Sequence, residues 1–564
     1  MTHQQQPHEQ KRILANTAVM AAGTVVSRLS GFLRLTLLAA ALGVGLHADI
    51  FNIANTVPNM LYILLAGGVF NAVLVPQLVR SQKNDADGGA AYLDRVMTLA
   101  ICFLALVTVL LIVAAPWVMQ LMLSEQFNDP ALASQRQSAI DFARYCLPQV
   151  FFYGMFVLVG QVLNARDRFG PMMWAPIANN VISVAVIGGY LVVFGPASAA
   201  ERSGAFSSGQ ELLLGIGSTV GIFAQLLILV PYLRAAGVRY RPRFDFRGVG
   251  LGHTLHLAMW TVLFVIVNQI AYVVVVRLAS GGTAASDDGT GITIYSGVML
   301  LVMVPHADRP AARATAILPR LSAAAANGDA GAVAATLGNT LRTALVVVVP
   351  FAALLPAIAL PVAQVIWGHG ASATTYQRFE TSMILFGIAM VLFTVHYLVL
   401  RGFYALEQNR TVFLVQCVIA AVNIALATVL VHRADPEHTA PMLIVAYSCA
   451  YGVGAVISSF VLTRQLKARG ARFSGPRPWA AYLGKLALTA AVVFGVSVFL
   501  DLVVTDTIAE LITGAPGFGW AVVRLAVVGT GAGVALLVLA PVIRLSEVTS
   551  VMATVTDRLQ RSTR

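Results

Sequence analysis

Apolar stretches of membrane-spanning length recur along this chain from about Ile13 to Ile543, with only short polar breaks between them. A bilayer core about 30 Å thick takes roughly 20 mostly apolar residues per spanning helix. In lipid every backbone N–H and C=O must be satisfied within the protein, which leaves helices or closed barrels. Barrel strands alternate with a period of two, and runs such as Leu104–Ala115 and Leu345–Pro350 do not. The expected fold class is an all-α polytopic membrane protein.

The pattern resolves into fourteen expected spans: 13–43, 50–80, 92–122, 138–164, 170–195, 211–235, 251–279, 291–322, 333–367, 380–403, 411–431, 440–466, 479–502 and 518–544. Charge sorts the loops into two alternating sets. Lys11 and Arg12, Arg80, Lys83 and Arg95, Arg166 and Arg168, the five Arg from Arg234 to Arg247, Arg320, Arg401 and Arg410, the cluster from Arg464 to Arg477, and the tail from Arg544 fall in one set. Asp287-Asp288, His432–His438, and Asp501, Asp506 and Glu510 fall in the other, with Arg136, Arg202, Arg378 and Arg433 as exceptions. Cytoplasmic loops carry the Lys/Arg excess, so both termini are expected in the cytoplasm. The net charge of +12 belongs to these loops, which argues against nucleic acid. No small-residue cleavage site follows the first apolar stretch, so a retained first span is expected and not a removed signal peptide.

The halves resemble each other at an offset of about 240 residues. Leu163-Asn164-Ala165-Arg166-Asp167-Arg168 ends the fourth span, and Phe403–Arg410 ends the tenth. Each precedes a span with internal Asn, Asn179 and Asn180 in one and Asn423 in the other. Copies of six spans each share an orientation, related by an axis along the membrane normal. The expected organisation is a tail 1–12, an N-lobe 13–236 (spans 1–6), a C-lobe 251–467 (spans 7–12), spans 13 and 14 at 479–545, and a tail 546–564. Two six-helix lobes in parallel pseudo-repeat around a central cavity make a transporter plan.

Ionisable residues inside spans are functional hypotheses by default. Span one carries Arg28 and Arg34 in SRLSGFLR, with Gly31 between them allowing a bend or a close approach. They face a cavity or snorkel to an interface. Asp49, at the external end of span two, reads as a helix cap or as a gate residue. Span two is interrupted by Pro58, Gly67, Gly68 and Pro76, with Asn52, Asn55, Asn59 and Asn71 among apolar residues. That marks either a moving, cavity-lining helix with hinges at Pro58, Gly67 and Gly68 or a kinked packing helix. In span eight, Asp308, Arg309 and Arg313 sit beside Pro305 and Pro310. This stretch admits three readings: an anion site, an aberrant segment, or a re-entrant span. Cys102, Cys146, Cys417 and Cys449 show no metal spacing and are expected to be buried thiols. There is no GxxxxGK[ST] loop, no HExxH and no GxSxG, so neither an enzyme nor a resident cofactor or metal is expected. The membrane potential or an ion gradient is the expected driving force.

SRLSGFLR, His47-Ala48-Asp49, VPNMLYILLAGGVFNAVLVPQL, LNARDRFGPMMWAPIANN and TAILPRLS together resemble the MurJ (MviN) family of lipid II flippases, in the multidrug/oligosaccharidyl-lipid/polysaccharide exporter superfamily. The resemblance covers essentially the whole chain and is most specific in the first eighty residues. It implies alternating access in a bacterial plasma membrane, with undecaprenyl-diphosphate-linked disaccharide-pentapeptide as cargo for peptidoglycan synthesis, and spans 13 and 14 forming a groove for the isoprenoid tail. It implies that Arg28, Arg34 and Asn59 bind substrate, that Asp49 gates, and that Arg309 and Arg313 are added cations. Guanidinium suits a diphosphate because it pairs phosphate oxygens bidentately. This chain departs from the better-known members at Leu35, Tyr62, Ile63 and Gly67, where those carry charged residues, and in the apolar residues near Leu300. Two rival readings accompany the flippase: an exporter of another polyprenyl-linked glycan or a drug, and a non-transporting scaffold for cell-wall synthesis or division proteins.

Overall fold

The structure is a computed structural model that describes residues 23, 26–65, 87, 89–166, 168–245, 251–308, 310–472, 476–509 and 517–544 (backbone alone at 251–258, 307–308, 310–316, 476 and 507–509). The described residues are helical throughout their ordered elements, with no strand among them. Among the described residues eleven helices are long and apolar enough to cross a membrane, and they correspond to expected spans 3–7 and 9–14. The chain divides into two compact units: residues 1–292 with 370–372, and residues 293–369 with 373–564. The division falls one span later than the expected linker at 236–251, because the seventh span packs with the first unit.

In the first unit, α1 (26–42) ends at Gly43. Its φ of +75° is left-handed, and an added Cβ would lie 2.9 Å from Arg202 Cδ; glycine takes this conformation at no steric cost. Gly45 is the N-cap of α2 (Leu46–Ile63), which continues through Pro58 into a π-helical turn at 64–65. There follow α3 (Ala90–Val113), α4 (Ala115–Met122), α5 (Ala133–Cys146), α6 (Gln149–Ala165), α7 (Gly170–Val193), α8 (Ser208–Ala235) and α9 (Leu251–Ala285). A reciprocal Ser207/Gln210 capping box starts α8, satisfying two of the donors a helix N-terminus leaves open. Leu104, Phe156, Leu158, Leu163 and Leu229 form a buried core of α3, α6 and α8. Small residues let helices approach where lipid supplies no hydrophobic drive between them. Thus a Cβ on Gly217 would meet Val186 at 2.5 Å, and one on Gly221 would meet Asn179 Oδ1 at 2.3 Å. Phe103, Leu106, Val109 and Val113 on α3 stay exposed as a lipid-facing stripe.

The basic loop after α8 is strapped to α3. Arg241 N–H donates to Asp94 Oδ1 (3.1 Å), Arg243 N–H to Thr98 Oγ1 (3.0 Å), and Arg95 Nε to Asp245 (3.0 Å). The loop backbone and Asp245 are thus tied to the first turns of α3.

The second unit begins with the eighth span, expected as one helix over 291–322. The structure interrupts it at Met303, between α10 (Ile292–Val302) and α11 (Val304–Asp308), and describes it further as α12 (Pro310–Ala326). The cause of the interruption is covalent: Pro305 lacks an N–H and its ring clashes with the preceding turn. Then come α13 (Ala330–Trp367), α14 (Glu380–Ala405), α15 (Asn409–Arg433), α16 (Thr439–Ala468), α17 (Pro476–Ala509) and α18 (Phe518–Val542). The long α13 touches α12, α14, α17 and α18. Trp367 at its end stacks on Phe379 at 3.7 Å. Gly402 of α14 admits Leu337 and Leu462, which an added Cβ would meet at 2.8 and 2.5 Å. The expectation of buried thiols holds for Cys146 alone; Cys102 and Cys449 are exposed on helix surfaces and Cys417 is intermediate, a thiol being apolar enough to face lipid.

The C-terminal helices are joined by a charge pair. Arg524 of α18 donates through Nη2 to Asp501 Oδ2 of α17 at 2.6 Å, and through Nε to Oδ1, with both side chains mostly buried. Removing one member of such a pair strands the other charge. Arg524→Ala is therefore expected to lower stability by about 3 kcal/mol or more, while the apolar double variant Asp501→Leu/Arg524→Met recovers most of it, read by thermal unfolding of the purified chain.

Candidate functional site

The span-one motif lies on α1 as a continuous helix. Gly31 is helical without positive φ, and a Cβ there would touch only Asn180 Nδ2, at 3.6 Å. The local constraint comes from α7. Asn180 Nδ2 donates to the Ser27 carbonyl (3.0 Å) and to Ser30 Oγ (2.9 Å), while Ser30 Oγ donates to the same carbonyl (3.0 Å). One amide thus fixes the turn that carries Arg28 and leads to Arg34. Arg28 is exposed and Arg34 half-buried. Arg34 lies within electrostatic reach of Tyr153 on α6, whose ring packs on Tyr62 of α2 at 4.8 Å. On this side the surroundings of Arg34 are aromatic.

On α2, Asn59 is exposed and Pro58 is buried. Pro58 deprives the Ala54 carbonyl of its helical donor. The turns around it are tied by side chains: Asn55 Nδ2 to Phe51 O (3.1 Å), Thr56 Oγ1 to Asn52 O (2.8 Å), Gln149 Nε2 to Asn55 Oδ1 (3.2 Å), and Gln269 Nε2 to Met60 O (3.1 Å). Gly67 and Gly68 lie outside the described residues, as does Arg309; Arg313 lies on α12, its side chain outside the description.

Asp49 does not cap α2, whose N-cap is Gly45. It sits in the first turn, 1% exposed, and accepts from Thr283 Oγ1 (2.9 Å) and the Ile292 N–H (3.1 Å). The approach is so close that a Cβ on Gly291 would lie 1.8 Å from Oδ2. The carboxylate therefore clasps the connection between α9 and α10. Close by in the same unit, Arg202 Nη1 donates to the Ala371 carbonyl (3.2 Å). Asn180, Tyr153, Thr283 and Gly291 are the supports that residue-by-residue reading did not assign. Asn180 had left a visible mark, an amide inside an apolar span.

This arrangement sets guanidinium groups on an amide-braced helix of a many-span membrane bundle. The fold superposes on a solved structure titled "Lipid II flippase MurJ, inward closed conformation" with a TM-score of 0.70 at 15% identity, covering 94% of this chain and all of that one. An inward-facing multidrug resistance MATE transporter of the MOP superfamily follows at 0.59 and 13% identity, covering 80% of this chain and 98% of that one. Residues 38–513 match the family described as Lipid II flippase MurJ, and the chain belongs to that family. "Lipid II flippase MurJ" of Burkholderia cenocepacia is 26% identical over 480 residues, 84% of this chain and 87% of the relative. "Probable lipid II flippase MurJ" of Rhizobium meliloti is 26% identical over 424 residues, 73% and 74%. The chain is thus a multi-pass membrane transporter and not an enzyme.

Two expected outcomes test the supports. Asn180→Ala removes the donor to two acceptors on α1, and is expected to cost about 1–2 kcal/mol and to weaken cargo binding as much as a direct loss at Arg34. Asp49→Ala is expected to cost about 1–3 kcal/mol by stranding the Ile292 amide. Asp49→Asn, which keeps one acceptor oxygen, costs less. Chemical denaturation in detergent reads both.

Proposed function

We propose that this chain is a lipid II flippase, moving undecaprenyl-diphosphate-linked peptidoglycan precursor from the inner to the outer leaflet by alternating access. The observation that carries this reading is Arg34, half-buried on a braced helix and making no hydrogen bond or ion pair among the described residues. A cation within a span is costly unless it meets an anion or water, and a diphosphate supplies that anion. Arg28 and Arg34 bind the diphosphate, Asn59 contacts cargo, and Asp49 gates the outer end by making and releasing its clasp. Gly31, Pro58, Gly67 and Gly68 are hinges, and Arg309 and Arg313 add cationic character. Spans 13 and 14 hold the isoprenoid tail. The termini lie in the cytoplasm, as the loop charges favour. No cofactor takes part, and the membrane potential or an ion gradient drives the cycle. Cell-wall synthesis or division proteins are candidate partners.

A second reading, another polyprenyl-linked glycan as cargo, is favoured by the Tyr62–Tyr153 pair beside Arg34, since aromatic faces suit sugar rings. One experiment serves both. Cells depleted of their own flippase express this chain, and outward-facing lipid II is read by cleavage with an added hydrolase. Wild type restores cleavage, and Arg28→Ala and Arg34→Ala, inserted normally, abolish it. Full activity in both variants sinks the diphosphate role; no restoration by wild type moves the cargo to the second reading.

A further inference from the structure

The C-terminal unit holds a cation that the site above does not use. We infer that Arg401 is a further anion-binding residue of the transport path, and that its ligand is a phosphate group of the polyprenyl diphosphate cargo. This rests on the function proposed above.

By charge pattern alone Arg401 belongs with the cytoplasmic loops. It lies inside α14, as within the expected span 380–403, four residues before the helix ends at Ala405. Its guanidinium is held by aromatic rings on its own helix, the carbon lying 4.3 Å from the Tyr397 centroid and 5.7 Å from that of Tyr404. Rings one turn away on each side fix the guanidinium without neutralising it. Arg401 makes no hydrogen bond or ion pair among the described residues, and its Nε is buried without a partner. A buried guanidinium donor left open costs free energy that a packed interior does not ordinarily tolerate.

Its surroundings exclude the simplest alternative, a side chain reaching along lipid. The lipid side of α14 is marked by Ile388 and Leu392, which line an apolar cleft with Val453 and Val456 of α16. At about 100° per residue, Arg401 lies about 180° around the helix from Leu392. It faces instead towards the broken eighth span. There His306 of α11 packs edge-on against Phe393 and Tyr397, each at 5.0 Å, and shares a hydrogen bond with Thr394 Oγ1 at 2.9 Å. His306 also lies within electrostatic reach of Arg401. The strip Phe393, Tyr397, Arg401, Tyr404 is therefore a preorganised polar face beside an interrupted helix, where broken spans of transporters place substrate. Planar guanidinium with open N–H groups selects phosphate oxygens. In the proposed orientation this is the inner end of the tenth span, where cargo enters.

A phosphate oxygen can come from cargo, from a bilayer phospholipid or from free phosphate, so the test separates them. The full chain in nanodiscs is titrated with undecaprenyl diphosphate, with undecaprenol as the phosphate-free control, and with phosphatidylglycerol and inorganic pyrophosphate as competitors. Arg401→Gln is expected to weaken undecaprenyl diphosphate binding about tenfold or more, with undecaprenol binding unchanged and Arg401→Lys intermediate. If Arg401→Gln does not fold, Tyr404→Glu carries the test: it gives Arg401 an internal carboxylate three residues on and must weaken binding similarly. Wild-type affinity in the folded Gln or Glu variant overturns the assignment. Equal competition by phosphatidylglycerol or pyrophosphate, lost with Arg401, overturns cargo as the ligand. Absence of diphosphate-lipid binding in the wild type itself overturns the flippase reading together with this one, an outcome distinct from binding that is intact and indifferent to Arg401.

Discussion

Hydrocarbon offers no hydrogen bonds, and most of what distinguishes this protein follows from how its polar groups are answered without water. Asn180 answers a carbonyl and a hydroxyl on α1. Asp49 takes a hydroxyl and a backbone N–H at the end of α9 and the start of α10. Asn55, Thr56 and Gln269 do the same around Pro58. Arg34 and Arg401 make no hydrogen bond or ion pair among the described residues, and the buried Nε of Arg401 is open, as is that of Arg342 beside Trp479 and Tyr482. The flippase reading proposed above rests on Arg34.

The architecture around these groups uses backbone proximity and covalent breaks in place of bulk hydrophobic drive. Gly217 and Gly221 let α7 and α8 touch, and Gly387 and Gly402 do so for α14. Pro305 goes with an interruption of the eighth span at Met303, and His306 beside it packs among aromatic side chains. Close approach makes the rigid parts rigid; breaks place flexibility where polar chemistry is found.

Much of this was legible in the sequence, and the reason is the bilayer. Span length and loop charge are imposed by its thickness and polarity, so eleven spans fall where the apolar runs stand. Arg28 and Arg34 were visible because ionisable residues are conspicuous among Leu and Val. The supports were less legible, since hydrogen-bond partners such as Asn180 and Ser27 lie 153 residues apart and pair only once helices pack. Asp49 illustrates the ambiguity: an acidic residue beside a helix start reads as a cap, and only the fold reveals the Thr283 and Ile292 donors. The eighth span misled for a local reason. Hydropathy averages over a window and smooths across the proline that interrupts the backbone at Met303. Arg401 was counted with the loop charges although the expected span 380–403 already encloses it, and the rings that hold it meet it only once the helix forms.

The Arg524–Asp501 pair has a consequence of another kind. Its charges cancel within a few ångströms, so α17 and α18 can tilt or slide through the transmembrane field while transferring almost no net charge. Among the described residues Arg34 and Arg401 have no such counter-charge. A displacement of either along the membrane normal performs electrical work of about 2.3 kcal/mol per elementary charge across the full thickness at 100 mV. In the flippase reading proposed above, a dianionic headgroup seated on them shrinks or reverses that work, while the paired charges of α17 and α18 add almost nothing to it.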